Sequence, residues 1–327
     1  MNLRRKLLVA AGGGALCAPL GALAQQASKP ARIGWLVSSS AAPNAVYQRS
    51  FVGRMRELGR LEGRDYSLEF RYAEGDNTKL PGLAAELARL KVDIILTTST
   101  TGGRAAQKAA DRIPIVMVSS GDPVGGGLIK SMARPGGNIT GNTNNLADLA
   151  PKHLDLLIEA VPRLSRLGLL MRAAPSHLES LNSLQAPASA RKIAIHSIVV
   201  ANMQEIEAGF SRMAQEKVQA VIVIADPLFT QNARQVAGLA AKGQLPTITL
   251  LREYVLAGLL MSYGPSESYL GANAAVYVDK ILKGANPADL PVEQATKLDF
   301  VFNLKTAKAL GIAIAPLLRM RADDVIE

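Results

Sequence analysis

The sequence has a single cysteine, Cys17, so no intrachain disulfide and no multi-thiolate metal centre can form. Aromatic residues make up 4% of the chain, with Trp35 the one tryptophan. Too few rings are present to build the stacking platforms of a single-strand nucleic-acid binder. The three histidines, His153, His177 and His196, are scattered. None stands beside a nucleophile-elbow pattern or at metal-ligand spacing, which argues against a hydrolase and against a zinc site. The third glycine of the dinucleotide fingerprint is missing after Gly125-Gly126-Gly127, which sets aside a Rossmann-type dehydrogenase, the enzyme class nearest to this pattern of strands and helices. No unbroken apolar run reaches the roughly twenty residues of a membrane span. The longest, from Leu7 to Leu23, is interrupted by Gly12-Gly13-Gly14 and Pro19.

That first segment is read as a signal peptide. Arg4-Arg5-Lys6 precedes the apolar stretch, and Ala22-Leu23-Ala24 has the small-x-small form of a cleavage site, placing cleavage before Gln25. Export by the general secretory or the twin-arginine route to the periplasm is the expectation. Leu16 stands before Cys17, where lipid attachment would call for a small residue. Cleavage removes three basic residues and lowers the net charge of +10 to about +7. The remaining basic residues, among them Arg54, Arg56, Arg60, Arg64, Arg71 and Lys79, are interleaved with Glu57, Glu62 and Glu69. They read as solvated faces rather than a nucleic-acid footprint.

The roughly 300 residues after the signal exceed what one hydrophobic core usually supports. From Ala31 to about Gly141, strands alternate with helices: strands at 32–38, 66–72, 92–98 and 114–119, helices at 49–61, 78–90 and 103–112. Such alternation specifies a parallel sheet covered on both faces. The same grammar restarts with a helix at 150–161 and apolar runs at 166–171, 193–200, 220–224 and 247–251. Pro162, Pro175, Pro187, Pro227 and Pro246 are expected between elements. A strand at 258–264, a helix at 267–282, a strand at 298–302 and a helix at 304–310 complete the pattern. The expected organisation is signal peptide 1–24, a first lobe of 31–143 with 265–296, and a second lobe of 144–264 with 297–327. Both lobes are α/β, and several crossovers form the hinge.

In open α/β sheets ligands gather at the carboxyl ends of strands. Three apolar runs end that way here, at Ser38-Ser39-Ser40, at Thr97-Thr-Ser-Thr-Thr-Gly-Gly103 and at Ser119-Ser-Gly-Asp122. Ser99, Thr100 and Thr101 sit where a helix begins, so hydroxyls, free N–H groups and the helix dipole suit a carboxylate, or else they only cap the helix. Ser39, Ser40, Tyr47 and Ser120 line the same side. Asp122 would pair with a ligand ammonium, or form a turn before Pro123. Asp226 holds the equivalent strand-end position in the second half, with Phe229 following it. Tyr263 would present a ring near the crossover, and Trp35 is expected in the core.

Arg56-Glu-Leu-Gly59 with Glu62-Gly63, Tyr72-Ala-Glu-Gly75, Gly121-Asp-Pro-Val124, Ala133-Arg-Pro-Gly-Gly-Asn-Ile-Thr-Gly141, Asp226-Pro-Leu-Phe229, Met261-Ser-Tyr-Gly264 and Asn303-Leu-Lys-Thr-Ala-Lys-Ala-Leu-Gly311 carry a resemblance across residues 31–327. In sequence and order they resemble the exported substrate-binding proteins of ATP-binding-cassette transporters, in the family whose characterised relatives include tryptophan and tyrosine binders. The resemblance implies the type I periplasmic binding protein fold, two Rossmann-like lobes closing on a ligand about a hinge. It also implies an ABC permease with a cytoplasmic ATPase as partner. Where relatives often carry an asparagine-proline rich turn, this chain has Met171-Arg-Ala-Ala-Pro175, so Arg172 is either a charged donor in the cleft or a surface residue. The expectation is a monomeric binding protein without cofactor or catalysis, holding a small polar solute such as an amino acid or a carboxylate. Docking of the loaded protein on a membrane sensor is the alternative.

Overall fold

The computed structural model describes residues 29–144 and 146–327, so the signal segment and Cys17 lie outside the described residues. The first half contributes β1 (Ala31–Val37), β2 (Tyr66–Tyr72), β3 (Ile94–Thr97), β4 (Ile115–Met117) and β5 (Ile139–Thr143). The chain then builds β6 (Arg166–Met171), β7 (Ala194–Val199), β8 (Ala220–Val223), β9 (Thr247–Thr249) and β10 (Met261–Pro265). Three short strands follow: β11 (Glu293–Gln294), β12 (Leu298–Asn303) and β13 (Asp324–Ile326).

Two sheets result. The first runs β11-β5-β4-β3-β1-β2 and is parallel throughout, and the second runs β13-β12-β10-β9-β8-β6-β7. The second departs from the all-parallel expectation, because β12 pairs with β10 antiparallel. After β10 the chain leaves for the first sheet, where it adds the Glu267–Leu282 helix and β11, and it re-enters the second sheet as β12 through residues 295–297, running back alongside β10. The chain passes between the sheets three times: after β5, after β10 and between β11 and β12.

Each sheet is buried on both faces, which is why its strands read as apolar runs rather than alternating ones. Ile33, Trp35 and Val37 enter one cluster with Phe51 and Tyr277, while Leu36 enters the opposite one with Leu87 and Ile115. Trp35 packs edge-on against Phe51 at 5.3 Å and stacks on Phe70 at 5.5 Å, so it is a core residue, worth about 1.5–3 kcal/mol as a large side chain taken from water. In the second sheet Leu167, Leu169 and Met171 face one cluster and Leu170 the other.

Several expected boundaries move. The first helix spans Ala41–Glu57 rather than 49–61, because Pro43 falls in its first turn, where a missing N–H costs nothing. Helices at Pro175–Ala190, Met203–Gln215 and Ala233–Lys242 were not expected from the sequence. Pro175 and Pro227 open helices, and Pro187 lies inside Pro175–Ala190 rather than between elements. Ser183, whose carbonyl loses its usual i+4 donor there, packs its hydroxyl on the carbonyls of Ala147 and Ser180.

Candidate ligand cleft

Strand ends of the first sheet meet in a hydroxyl-rich wall. Ser38, directly after β1, shares a hydrogen bond with Ser99 after β3, Oγ to Oγ 2.5 Å. The Ser99 hydroxyl also accepts from the Gly102 N–H at 3.0 Å, so it caps the Thr100–Ala109 helix. Thr100 Oγ1 lies 2.9 Å from Ser120 Oγ and accepts from the Gly121 N–H. Beyond β5, the Asn144 amide donates to Ser119 Oγ at 3.1 Å. Thr101 is exposed at the same helix start.

The second sheet supplies the facing wall. Asp226 follows β8 and caps the Pro227–Gln231 helix through a 2.8 Å bond from the Leu228 N–H. Its other oxygen lies 4.0 Å from His177 Nε2. His177 is buried, and its Nδ1 accepts from the Arg172 N–H at 2.9 Å, which leaves the ring proton on Nε2, toward Asp226. Burial holds the His177 pKa below the usual imidazole value, so the ring stays neutral. Glu253, from the Arg252–Leu256 helix after β9, closes the hinge end. Burial, and then the neighbouring Glu267 carboxyl, push it up to about 8.

Between the walls lies a cleft with about 830 Å³ of space not filled by protein, part of it open to solvent. Ser39, Tyr47, Ser99, Thr100, Thr101, Ser120 and Asp226 line it. Five other candidates stand elsewhere. Ser40 precedes the Ala41–Glu57 helix without a side-chain cap. Asp122 accepts from the Gly125 N–H at 2.7 Å, the turn alternative, and also approaches Glu179 of the opposite lobe. Arg172 donates to the Ala201 carbonyl at 2.9 Å. Phe229 is fully buried among Val236, Tyr254 and their neighbours. Tyr263 packs edge-on against Phe300 and His153.

Among the lining residues that the sequence did not single out for the cleft are Asn44, Asn144, His177 and Glu253. Asn44 lies one turn before Tyr47 on the same helix face, so the spacing that places Tyr47 places it too. Glu253 follows the carboxyl end of β9, as Ser39, Ser99 and Asp226 follow those of β1, β3 and β8. Asn44 is 3% exposed, and neither of its amide heteroatoms has a hydrogen-bond partner; the Asn144 oxygen has none either. Buried amides without partners are costly unless something outside the protein satisfies them.

The family described as ABC transporter substrate binding protein matches residues 47–326. A tyrosine-binding protein of Clostridioides difficile (strain R20291) is 25% identical over 279 residues, covering 85% of this chain and 79% of the relative. A Streptococcus pneumonia ABC domain solved in complex with L-Trp superposes with a TM-score of 0.84 at 24% identity, over 91% of this chain and all of that one. A ligand-free, open substrate-binding protein with adhesive properties from Clostridium difficile gives 0.68 at 24% identity, over 90% and 99%. The paired sheets and triple crossing are those of the type I periplasmic binding proteins. The chain belongs to the ABC transporter substrate-binding protein family.

Proposed function

We propose that this protein captures a small polar organic solute between its two lobes and delivers it to an ABC permease driven by a cytoplasmic ATPase. The lobes comprise residues 31–143 with 265–296 and residues 144–264 with 297–327. The observation that carries the reading is the buried, unpartnered amide of Asn44 on a cleft whose other wall bears Asp226 and Glu253. Contacts from both walls exist together only when the lobes are closed, so the solute selects that state by its differential affinity. No bond is made or broken. The protein works outside the cytoplasm, with residues 1–24 removed on export; among the described residues no helix is long and apolar enough to cross a membrane.

A thermal-shift screen of residues 25–327 against amino acids, small carboxylates, aromatic acids, sugars and nucleosides tests this. A solute at about 100 times its dissociation constant adds about 2.7 kcal/mol, which raises the midpoint of a protein this size by about 4 °C. Asn44→Leu should abolish the shift while leaving the unliganded midpoint near that of the parent. Silence from every class, with the protein shown folded, overturns the proposal.

Closure itself has a sensitive position. Gly75, after β2, has a φ of +80°, and a Cβ there would lie 3.0 Å from Gln231 Cβ and 3.3 Å from the Pro227 carbonyl oxygen of the opposite lobe. Gly75→Val is expected to weaken binding of any hit about tenfold or more, since the clash arises only when the lobes meet. Titration calorimetry giving an unchanged affinity would show that the lobes do not approach here on binding.

A further inference from the structure

The cleft continues past Glu253. A second cavity, with about 740 Å³ of unfilled and partly open space, adjoins it where the chain crosses from β10 to the Glu267–Leu282 helix, and Leu250 and Glu253 line both. Two carboxyl groups from opposite lobes face each other there: Glu253 from the second, Glu267 from the first. Glu267 is 7% exposed, and its Oε1 has no hydrogen-bond partner. The Tyr47 hydroxyl interacts with the Glu267 carboxyl, and Asn44 stands one turn away with both amide atoms unpartnered.

The surrounding charges do not neutralise this pair. Arg252 draws on Glu267 by charge but is engaged through Nε and Nη2 by Asp324, and Arg49, the other cation lining the cavity, is exposed. Asp299 adds a third carboxylate from β12, and Asp226 lies on the other side of Tyr254. Two carboxylates withdrawn from water call for a cation or a proton.

We propose that Glu253 and Glu267 form the subsite for a cationic group of the bound solute, an ammonium or a guanidinium, with the Asn44 amide oxygen as a third acceptor. This inference rests on the reading of the cleft as the solute site. It assigns the cation to the hinge end, whereas the sequence alone suggested Asp122, which is instead held in a turn at the cleft edge. The hydroxyls and helix N-terminus at Ser99 and Thr100 face Glu253 from the first-lobe wall, suited to an anionic end of the same solute.

A proton occupies the subsite when no cation does, because burial raises both carboxyl groups, Glu253 to about 8 and Glu267 to about 7. An incoming cation displaces that proton. Affinity therefore rises with pH, by up to about tenfold per unit, as the ligand-free pair ionises less readily than the liganded one. If closure merely required protonation of the pair, affinity would fall with pH.

The test uses residues 25–327 and pairs of probes with and without ammonium groups: L-phenylalanine and 3-phenylpropionate, L-leucine and 4-methylpentanoate, putrescine and 1,4-butanediol. Thermal shift finds the binders, and calorimetry at pH 6 and pH 8 measures them. The expected result is binding by the ammonium-bearing member of at least one pair and not by its counterpart. That binding should be tighter at pH 8, and weakened about 10- to 100-fold by Glu253→Gln. Glu267→Gln reads the same subsite from the other lobe if Glu253→Gln does not fold. Binding by a probe without a cation, binding untouched by both substitutions, or affinity that falls with pH overturns the inference and leaves the solute-binding function standing. Silence of these probes alongside a sugar or nucleoside hit in the wider screen does the same, whereas silence of every compound overturns both.

Discussion

Gly141→Ala is expected to lower the unfolding midpoint by about 5–8 °C. Gly141 sits in β5 opposite Met117 of β4, with a φ of +123° that disfavours any side chain. A Cβ there would fall 2.3 Å from the Met117 carbonyl oxygen and 2.6 Å from its nitrogen. Both are backbone atoms of a buried strand, so neither can swing aside as a flexible side chain would. Strained backbone and forced overpacking together cost about 3–5 kcal/mol. Gly82→Ala is the matched control, because it lies in the Leu80–Arg89 helix with nothing near the added carbon. It should stabilise by up to about 1 kcal/mol. A Gly141→Ala midpoint within 2 °C of the parent, by circular dichroism, would show that β4 and β5 part at little cost.

Stability should also fall between pH 6.5 and 8. Glu253 and Glu267 have folded values of about 8 and about 7 against an ordinary 4.5, so over this interval the folded state holds protons that the unfolded chain has released. Their contribution is complete below about 4.5 and is lost as pH climbs through the folded values. The slope is about 1.4 kcal/mol per pH unit for each proton retained. His153, lowered by burial to about 4, and His177, lowered in the same way, act in the opposite sense. Their neutral forms favour the folded state above about 6.5, and that gain fades as pH drops, so the carboxyl effect is cleanest above 6.5. Chemical denaturation at pH 6.5, 7.25 and 8 measures the decline. Glu267→Gln should flatten it, and an undiminished slope in that variant would place the responsible group elsewhere.

Much of the scaffold was legible because its strands are buried on both faces. Runs such as Arg166–Met171 and the Glu267–Leu282 helix read directly from apolar continuity and period. The helices at Met203–Gln215 and Ala233–Lys242 were missed although each carries a helical period, Ile206, Phe210 and Met213 in the first and Ala233, Val236, Ala237 and Ala240 in the second. The antiparallel β12 depends on a detour of the chain through the first sheet, a long-range path that no local pattern records. In the cleft, the strand-end rule found the hydroxyl wall. It gave no means of telling that Phe229 turns into the core while His177, from a helix not foreseen, turns toward Asp226. Asn44 became noticeable only once its surroundings showed nothing for its amide to bond.

The late return of the chain to the first sheet sets an order of assembly. Leu270, Ala274, Tyr277 and Val278 complete the core around Trp35 and Phe51, and Arg60 is tied to Asp279 at 2.6 Å. More than 200 residues separate these partners along the chain. A ribosome releasing the protein from its amino end therefore exposes one sheet face until almost everything has emerged, so the first-made half waits for the last-made quarter. Non-local closure of this kind slows folding and lengthens the time a nascent chain remains pliable. A truncation ending at residue 264 would leave that half without its cover, however complete its strands.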